Sequence, residues 1–442
     1  MNPIAVLFLV ANAMALMLLP ARWASLPLLA SACYMTLGQG IDIAGLSFPI
    51  IRLVIAVGFV RLLVKREWPS GGINGLDLLV LAWAAWTMIS SLFHEDPHNA
   101  LINRLGQIYN ACGLYFLMRC FCRSIGDVTN HVRIAAMVLI PLSAAMLIEW
   151  ATGQNVFAVF GGVLAESEVR GGSIRAQGPF LHPILAGSVG ATSLPLMVAM
   201  WKSHRTVAVL GTGACVVMVL TAGSSGPVLS AVVAVAALVA WRIRSHMRAL
   251  RWAAVTGYVA ADLIMNAPAY YLLARIDVTG SSTSWHRAAL IEAAITHFWD
   301  WWLVGTDYTR HWLAYGVPWS GKHIDVTNHY LMMGINGGLA LMLLFLFTLA
   351  KGFSIVGQRV REGGGLTTDG HSSAWVIWTL GCSLFAHAAT FLSVTYFDQS
   401  FAFLYLVLAA IPAGDHPKNR SATARAPAPC DSTLTSGGPV RP

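Results

Sequence analysis

Three places in this 442-residue chain carry side chains suited to charged or hydroxylic substrates. The first is Arg175, in the run S-I-R-A-Q-G-P-F-L-H-P at residues 173–183. Gly178 and Pro179 fix a turn, and Pro183 suits the first turn of a following helix. A guanidinium held in such a turn presents forked donors that match phosphate and diphosphate oxygens. The second place is Arg287, two residues past Trp285. The third is K-H-I-D-V-T-N-H-Y-L at residues 322–331, with His323, Asp325 and His329 close together. A neutral imidazole can accept a proton from an attacking hydroxyl, and a carboxylate can orient that imidazole. The H-x-D-x-x-x-H spacing is a poor zinc pattern, so no metal and no other cofactor is expected. His182 reads as a residue at the opening of a helix.

The elements that position these residues are apolar helices. The chain is 56% hydrophobic and 11% charged, against about 25% charged in soluble domains. Apolar runs cover 3–19, 25–37, 48–64, 76–93, 101–118, 134–150, 183–201, 206–222, 226–241, 252–268, 330–350, 374–394 and 400–412. They are continuous rather than alternating, which predicts an all-α polytopic membrane protein with about 12 to 13 transmembrane helices. The second and last runs are short. Residues 1–412 read as one membrane domain, and 413–442, rich in Pro, Ser, Thr and Arg, as a disordered cytoplasmic tail. Arg52, Arg104, Glu149 and Asp262 lie in or near the runs, mostly at their ends, which points to snorkelling rather than to a proton relay.

Loop charge sets the orientation. Lys65–Arg66, Arg119–Arg133, Lys202–Arg205, Arg242–Arg251 and Lys351–Arg361 fall on one side, which the positive-inside rule makes cytoplasmic. The net charge of +8 is thus a topological signal, and nucleic acid is not an expected partner. The opposite side carries two long loops, 151–182 and 269–328, which hold Arg175, Arg287, His323 and Asp325. Arginine is scarce there, so each one carries more information. The second loop contains W-H-R-A-A-L-I-E-A-A-I-T-H-F-W-D-W-W. Ala288, Ile291, Ile295, Phe298 and Trp302 fall at helical spacing behind possible caps at Ser282, Thr283 and Ser284. Its tryptophans suit an amphipathic helix at the bilayer surface. None of the seven cysteines lies in these loops, and the C-x-C of Cys120 and Cys122 reads as small apolar filling.

The motifs together resemble the O-antigen ligase and polysaccharide polymerase family of bacterial membrane glycosyltransferases. The resemblance rests on R-A-x-G-P-F-x-H-P before a span, G-S-S-G-P between two spans, and S-W-x-R-x-A-L-x-E-A-A in the long loop. L-V-G-T-D-Y and the closing N-H-Y-L-x-x-x-x-N-G-G add to it. It covers roughly residues 150–345 by motif and implies a GT-C-type membrane fold in the bacterial inner membrane, with the active site on the periplasmic side. The implied donor is an undecaprenyl-diphosphate-linked glycan; the implied acceptor is a second glycan, such as a lipid A core sugar, with membrane lipids as surroundings. The resemblance places Arg175 and Arg287 on the donor diphosphate and a histidine near the acceptor hydroxyl. This chain departs from the family where that histidine is expected. The family reads H-N-x-Y-L, and here the first position is Thr327. In a helix His329 would point about 200° away from Thr327. Either His329 or His323 substitutes, or no histidine acts as base. The alternative reading is a polysaccharide flippase or other membrane transporter, which should show broken helices and charges near the midplane.

Overall fold

A computed structural model describes residues 1–43, 45–275, 284–314, 320–362 and 373–414. The helices are α1 (Pro3–Leu18), α2 (Ser25–Tyr34), α3 (Ile50–Lys65), α4 (Gly75–Ser91), α5 (Pro97–Phe121), α6 (Ile125–Thr152) and α7 (Pro183–Ala199). They continue with α8 (Arg205–Thr221), α9 (Ser225–Val239), α10 (Met247–Ile264), α11 (Ser284–Thr296), α12 (Phe298–Trp301), α13 (His329–Arg361), α14 (Ser373–Thr390) and α15 (Phe401–Ala410). Each of the thirteen apolar runs coincides with a helix. Among the described residues, three helical stretches are long and apolar enough to cross a membrane: α6, the kinked stretch from α9 to α10, and α13. Both short runs became ten-residue helices, α2 and α15, about 15 Å long and so half a hydrocarbon core. The tail from 415 onward and the caps at Ser282 and Thr283 lie outside the described residues.

The centre of the bundle is α7, with every residue buried except Ile184 and Val198. It packs against α8, α9 and α14. Small residues permit this. A β-carbon on Gly187 would lie 2.7 Å from that of Ala222, and one on Gly190 would lie 2.8 Å from the Cys215 carbonyl oxygen. Backbones that approach so closely maximise van der Waals contact, the main source of helix association where lipid removes the hydrophobic drive.

Two hairpins were not foreseen: β1 (Gly40–Ile43) with β2 (Leu46–Pro49), and β3 (Glu168–Arg170) with β4 (Ser173–Arg175). The second turns on Gly171 and Gly172 at φ 57° and 79°. Two consecutive left-handed residues make a tight loop whose twist matches the strands, and glycine adopts them without steric penalty. The register sets Glu168 opposite Arg175.

α13 is broken at Gly337 and Gly338, where (φ, ψ) is (−165°, 26°) and (75°, −176°). Four backbone groups around the break find partners outside the helix. Asn336 O faces His94 Nε2 at 3.3 Å, and Gly337 O accepts from Trp86 Nε1 at 2.7 Å. Thr306 N donates to Ile335 O at 2.9 Å and Leu339 N to Trp302 O at 2.7 Å. Residues 302–306 thus dock into the break and fasten the long loop to the bundle. A β-carbon on Gly338 would fall 2.3 Å from the Leu303 carbonyl oxygen. Gly338→Ala is therefore expected to cost at least about 2 kcal/mol, from backbone strain and a backbone clash together. Gly213→Ala, with open space around it, should leave the thermal midpoint in detergent unchanged. Equal midpoints for the two variants would contradict this account of the break.

Candidate active site

Arg175 is held by its own hairpin and by the α8–α9 turn. Its Nη1 donates to Glu168 Oε1 at 2.6 Å and its Nε to Ala222 O at 3.2 Å. The next amide, Ala176 N, donates to Thr221 O at 2.9 Å. Gly223, at φ 54°, lets the α8–α9 turn lie against the arginine stem; a β-carbon there would meet Arg175 Cγ at 3.0 Å. The guanidinium is 2% exposed. Burial lowers its basicity, and the Glu168 carboxylate opposes that shift.

The turn that follows is anchored by Glu149. Its carboxylate accepts from Gln177 N at 3.0 Å, Gly178 N at 2.8 Å and Ser167 Oγ at 3.1 Å. Glu149 does not snorkel, as its place near a run end suggested; it is fully buried and fully partnered. Asn155 Nδ2 donates to Gly178 O, and Gln399 Nε2 donates to Pro179 O. His182 caps α7 by accepting from Ile184 N through Nδ1 at 3.1 Å, so in the neutral ring Nε2 carries the proton and faces Glu168 Oε2 at 3.7 Å. Burial and the neighbouring Arg175 lower the basicity of this imidazole.

Arg175 opens into a cavity of about 900 Å³ that Arg287, His323, Asp325 and Thr327 also line. Arg287 comes from α11, whose inward face is His286, Arg287, Ala288, Leu290, Ala293 and Ala294. The stripe the spacing suggested holds at Ala288 but not at Ile295. Ile295 is exposed, and Trp285 and Trp299 face outward. His286 Nε2 donates to Asp325 O at 2.9 Å and joins α11 to the 322–327 strap. Thr309 N and Arg310 N donate to Lys322 O, and Thr395 Oγ1 donates to Val326 O at 2.7 Å. The cavity walls strip water from the strap's side chains. That burial raises the Asp325 carboxyl, with His286 opposing. It also lowers the His323 imidazole, with Asp307 opposing. Among the described residues, buried Thr327 Oγ1 has no hydrogen-bond partner.

His329, a sequence candidate for the base, is not among the lining residues. As the first residue of α13 it turns away from Thr327 and stacks on Phe391, with ring centroids 4.6 Å apart, beside Phe345 and Tyr396. Its place is in the aromatic packing. The cavity also holds residues that sequence reasoning passed over as site candidates. Arg104 and Arg170 add positive charge, and Asp307 adds negative charge. Asp307 is gripped by His94 Nδ1 at 2.6 Å and Glu95 N at 2.6 Å, partners over 200 positions away that no local motif reveals. Glu168 was legible in principle, since the Gly-Gly pair marks a two-residue hairpin that sets it across from Arg175. Searches of family models, curated proteins and solved structures return no match to this chain.

Removing the Glu149 carboxylate would strand two buried amides and a hydroxyl. Glu149→Ala is expected to cost about 3–5 kcal/mol and to speed hydrogen exchange at Gln177 and Gly178. Glu149→Gln keeps one acceptor oxygen and should lose less. Unchanged exchange in the alanine variant would mean that the turn is held elsewhere.

Proposed function

We propose that the chain is an inner-membrane glycosyltransferase of GT-C type, with about 12–13 crossings, which moves a glycan from an undecaprenyl-diphosphate carrier to a glycan acceptor at the periplasmic face. The observation that carries this reading is that Arg175 and Arg287, far apart in sequence, line one cavity with His323 and Asp325. Two of the Arg175 nitrogens are engaged by protein, and among the described residues Nη2 has no protein partner. A diphosphate seated there would accept from Arg175 and Arg287, and both would stabilise the charge that grows on it as it leaves.

In the reaction the acceptor oxygen bonds to the anomeric carbon while the bond from that carbon to the diphosphate oxygen breaks, with inversion. The hydroxyl proton passes to His323, which its surroundings keep neutral, and the polyprenyl diphosphate departs as the anion. Asp325 and the unpaired Thr327 hydroxyl lie on the same wall and orient the acceptor. His329 has no part in this scheme. The residues supply positioning and electrostatics, and the scheme calls on no metal. The broken helix α13 is a trait expected of a transporter. Here its loose ends are tied to loop 302–306, His94 and Trp86, which supports a fixed scaffold over a moving gate.

Arg175→Ala and Arg287→Ala are each expected to lower transfer from a lipid-linked donor in isolated membranes by about 10²-fold or more, with lysine only partly restoring it. In cells lacking the wild-type chain, long lipid-linked polymer should accumulate if the activity is a ligase, and single repeat units if it is a polymerase. Unchanged glycans with altered transport of a small solute would favour the transporter reading. The His323 shift also sets a pH signature. A lowered pKa keeps the ring neutral, and able to accept a proton, below the ordinary imidazole range. The acid limb of the rate profile should therefore fall below about pH 6.5, and His323→Asn should remove it. An acid limb that survives in that variant would sink the role given to His323.

A further inference from the structure

Away from the cavity, three ligating side chains meet within the long loop. His297 follows α11, Asp300 lies three residues on in α12, and His311 sits in the 3₁₀ turn Arg310–Trp312. His297 Nδ1 lies 3.3 Å from Asp300 Oδ2, and His311 Nε2 lies 3.0 Å from the same oxygen. All three ligand atoms fall within 4.8 Å of one another. Ligands about 2.0–2.1 Å from a tetrahedral zinc ion stand about 3.3–3.4 Å apart, so two of the three edges already match.

The rings are also pre-positioned. His297 stacks on Trp312 at 5.8 Å and 4°, and His311 stacks on Tyr308 at 5.1 Å and 11°. The two imidazoles stand edge to face at 4.7 Å. Only His311 meets Asp300 with hydrogen-bond geometry. The His297 ring faces the same oxygen without it, as ligands do when an ion, not a proton, lies between them.

The geometry points to a site for one divalent transition-metal ion, zinc by its imidazole–carboxylate ligand set, held by His297, Asp300 and His311 with water in the fourth position. None of the three residues lines the cavity, so the site is independent of the glycosyl-transfer reading. Its effect is structural. It clips α12 to the turn at 310–312, and the chain between them carries the segment docked in the α13 break and the cavity residue Asp307.

Full-length protein in detergent, stripped with chelator and titrated with Zn²⁺ by calorimetry, should bind one ion per chain at that site. Cobalt in its place should give the intense visible absorption of a tetrahedral centre. Asp300→Asn, which keeps the side-chain shape, and His311→Ala should each weaken binding by on the order of 100-fold. Exchange of Zn²⁺ for Mg²⁺ should abolish the heat. Circular dichroism and elution volume matching the parent establish that the variants fold. No binding by the parent, or full-strength binding by a folded His297→Ala/His311→Ala double variant, overturns the site.

Discussion

A peptide group that leaves water must find its partner inside the chain, and this requirement organises the whole molecule. Within a helix it is met automatically. It becomes demanding where the chain turns at the end of a buried helix or interrupts one. The loop before α7 meets it with a carboxylate, since Glu149 accepts two successive amides. The interruption in α13 meets it with an indole, an imidazole and a neighbouring loop. In both places the solution also fixes something beyond itself. The first sets where Arg175 stands, and the second sets where the long loop lies.

The cavity inherits its chemistry from these anchors. Its walls mix cations from four separate segments with carboxylates from others, so no single field dominates it. Several polar groups are aimed by contacts made elsewhere, as His286 is by Asp325 O and Asp307 is by the His94 ring and the Glu95 amide. Rigid supports of this kind let side chains on loops act with the precision of side chains on helices.

Much of this was legible before any coordinates. Continuous apolar runs read directly as helices because lipid and buried core impose the same composition on them. Arg175 and Arg287 stood out because arginine is scarce in the loops opposite the basic ones, and His323 and Asp325 because they stand close together; all four share one cavity. What could not be read was anything set by tertiary cover. The α11 stripe was right at Ala288 but wrong at Ile295, because Leu290, not Ile295, packs with Ile324 and Val326 of the strap. Glu149 looked like a charge at the end of a run, and its amide partners lie 28 and 29 residues ahead. His329 was a fair candidate by type, but helical phase turned it into the rings of Phe345 and Phe391. The His94–Asp307 contact spans 213 positions, and no periodicity encodes such a pair.

The cross-strand pairing of Glu168 with Arg175 gives the resting protein an internal counterion. An incoming anion does not meet a bare guanidinium; it competes with a tethered carboxylate that is always at hand. What matters is then the difference between two anions, not the absolute strength of either. A singly charged ligand trades one carboxylate-like partner for another and gains little. A ligand carrying more charge, or one that bridges to a second cation, gains the surplus. In the proposed reading, the hairpin sets a threshold that the small monovalent anions attracted by any exposed arginine do not pass.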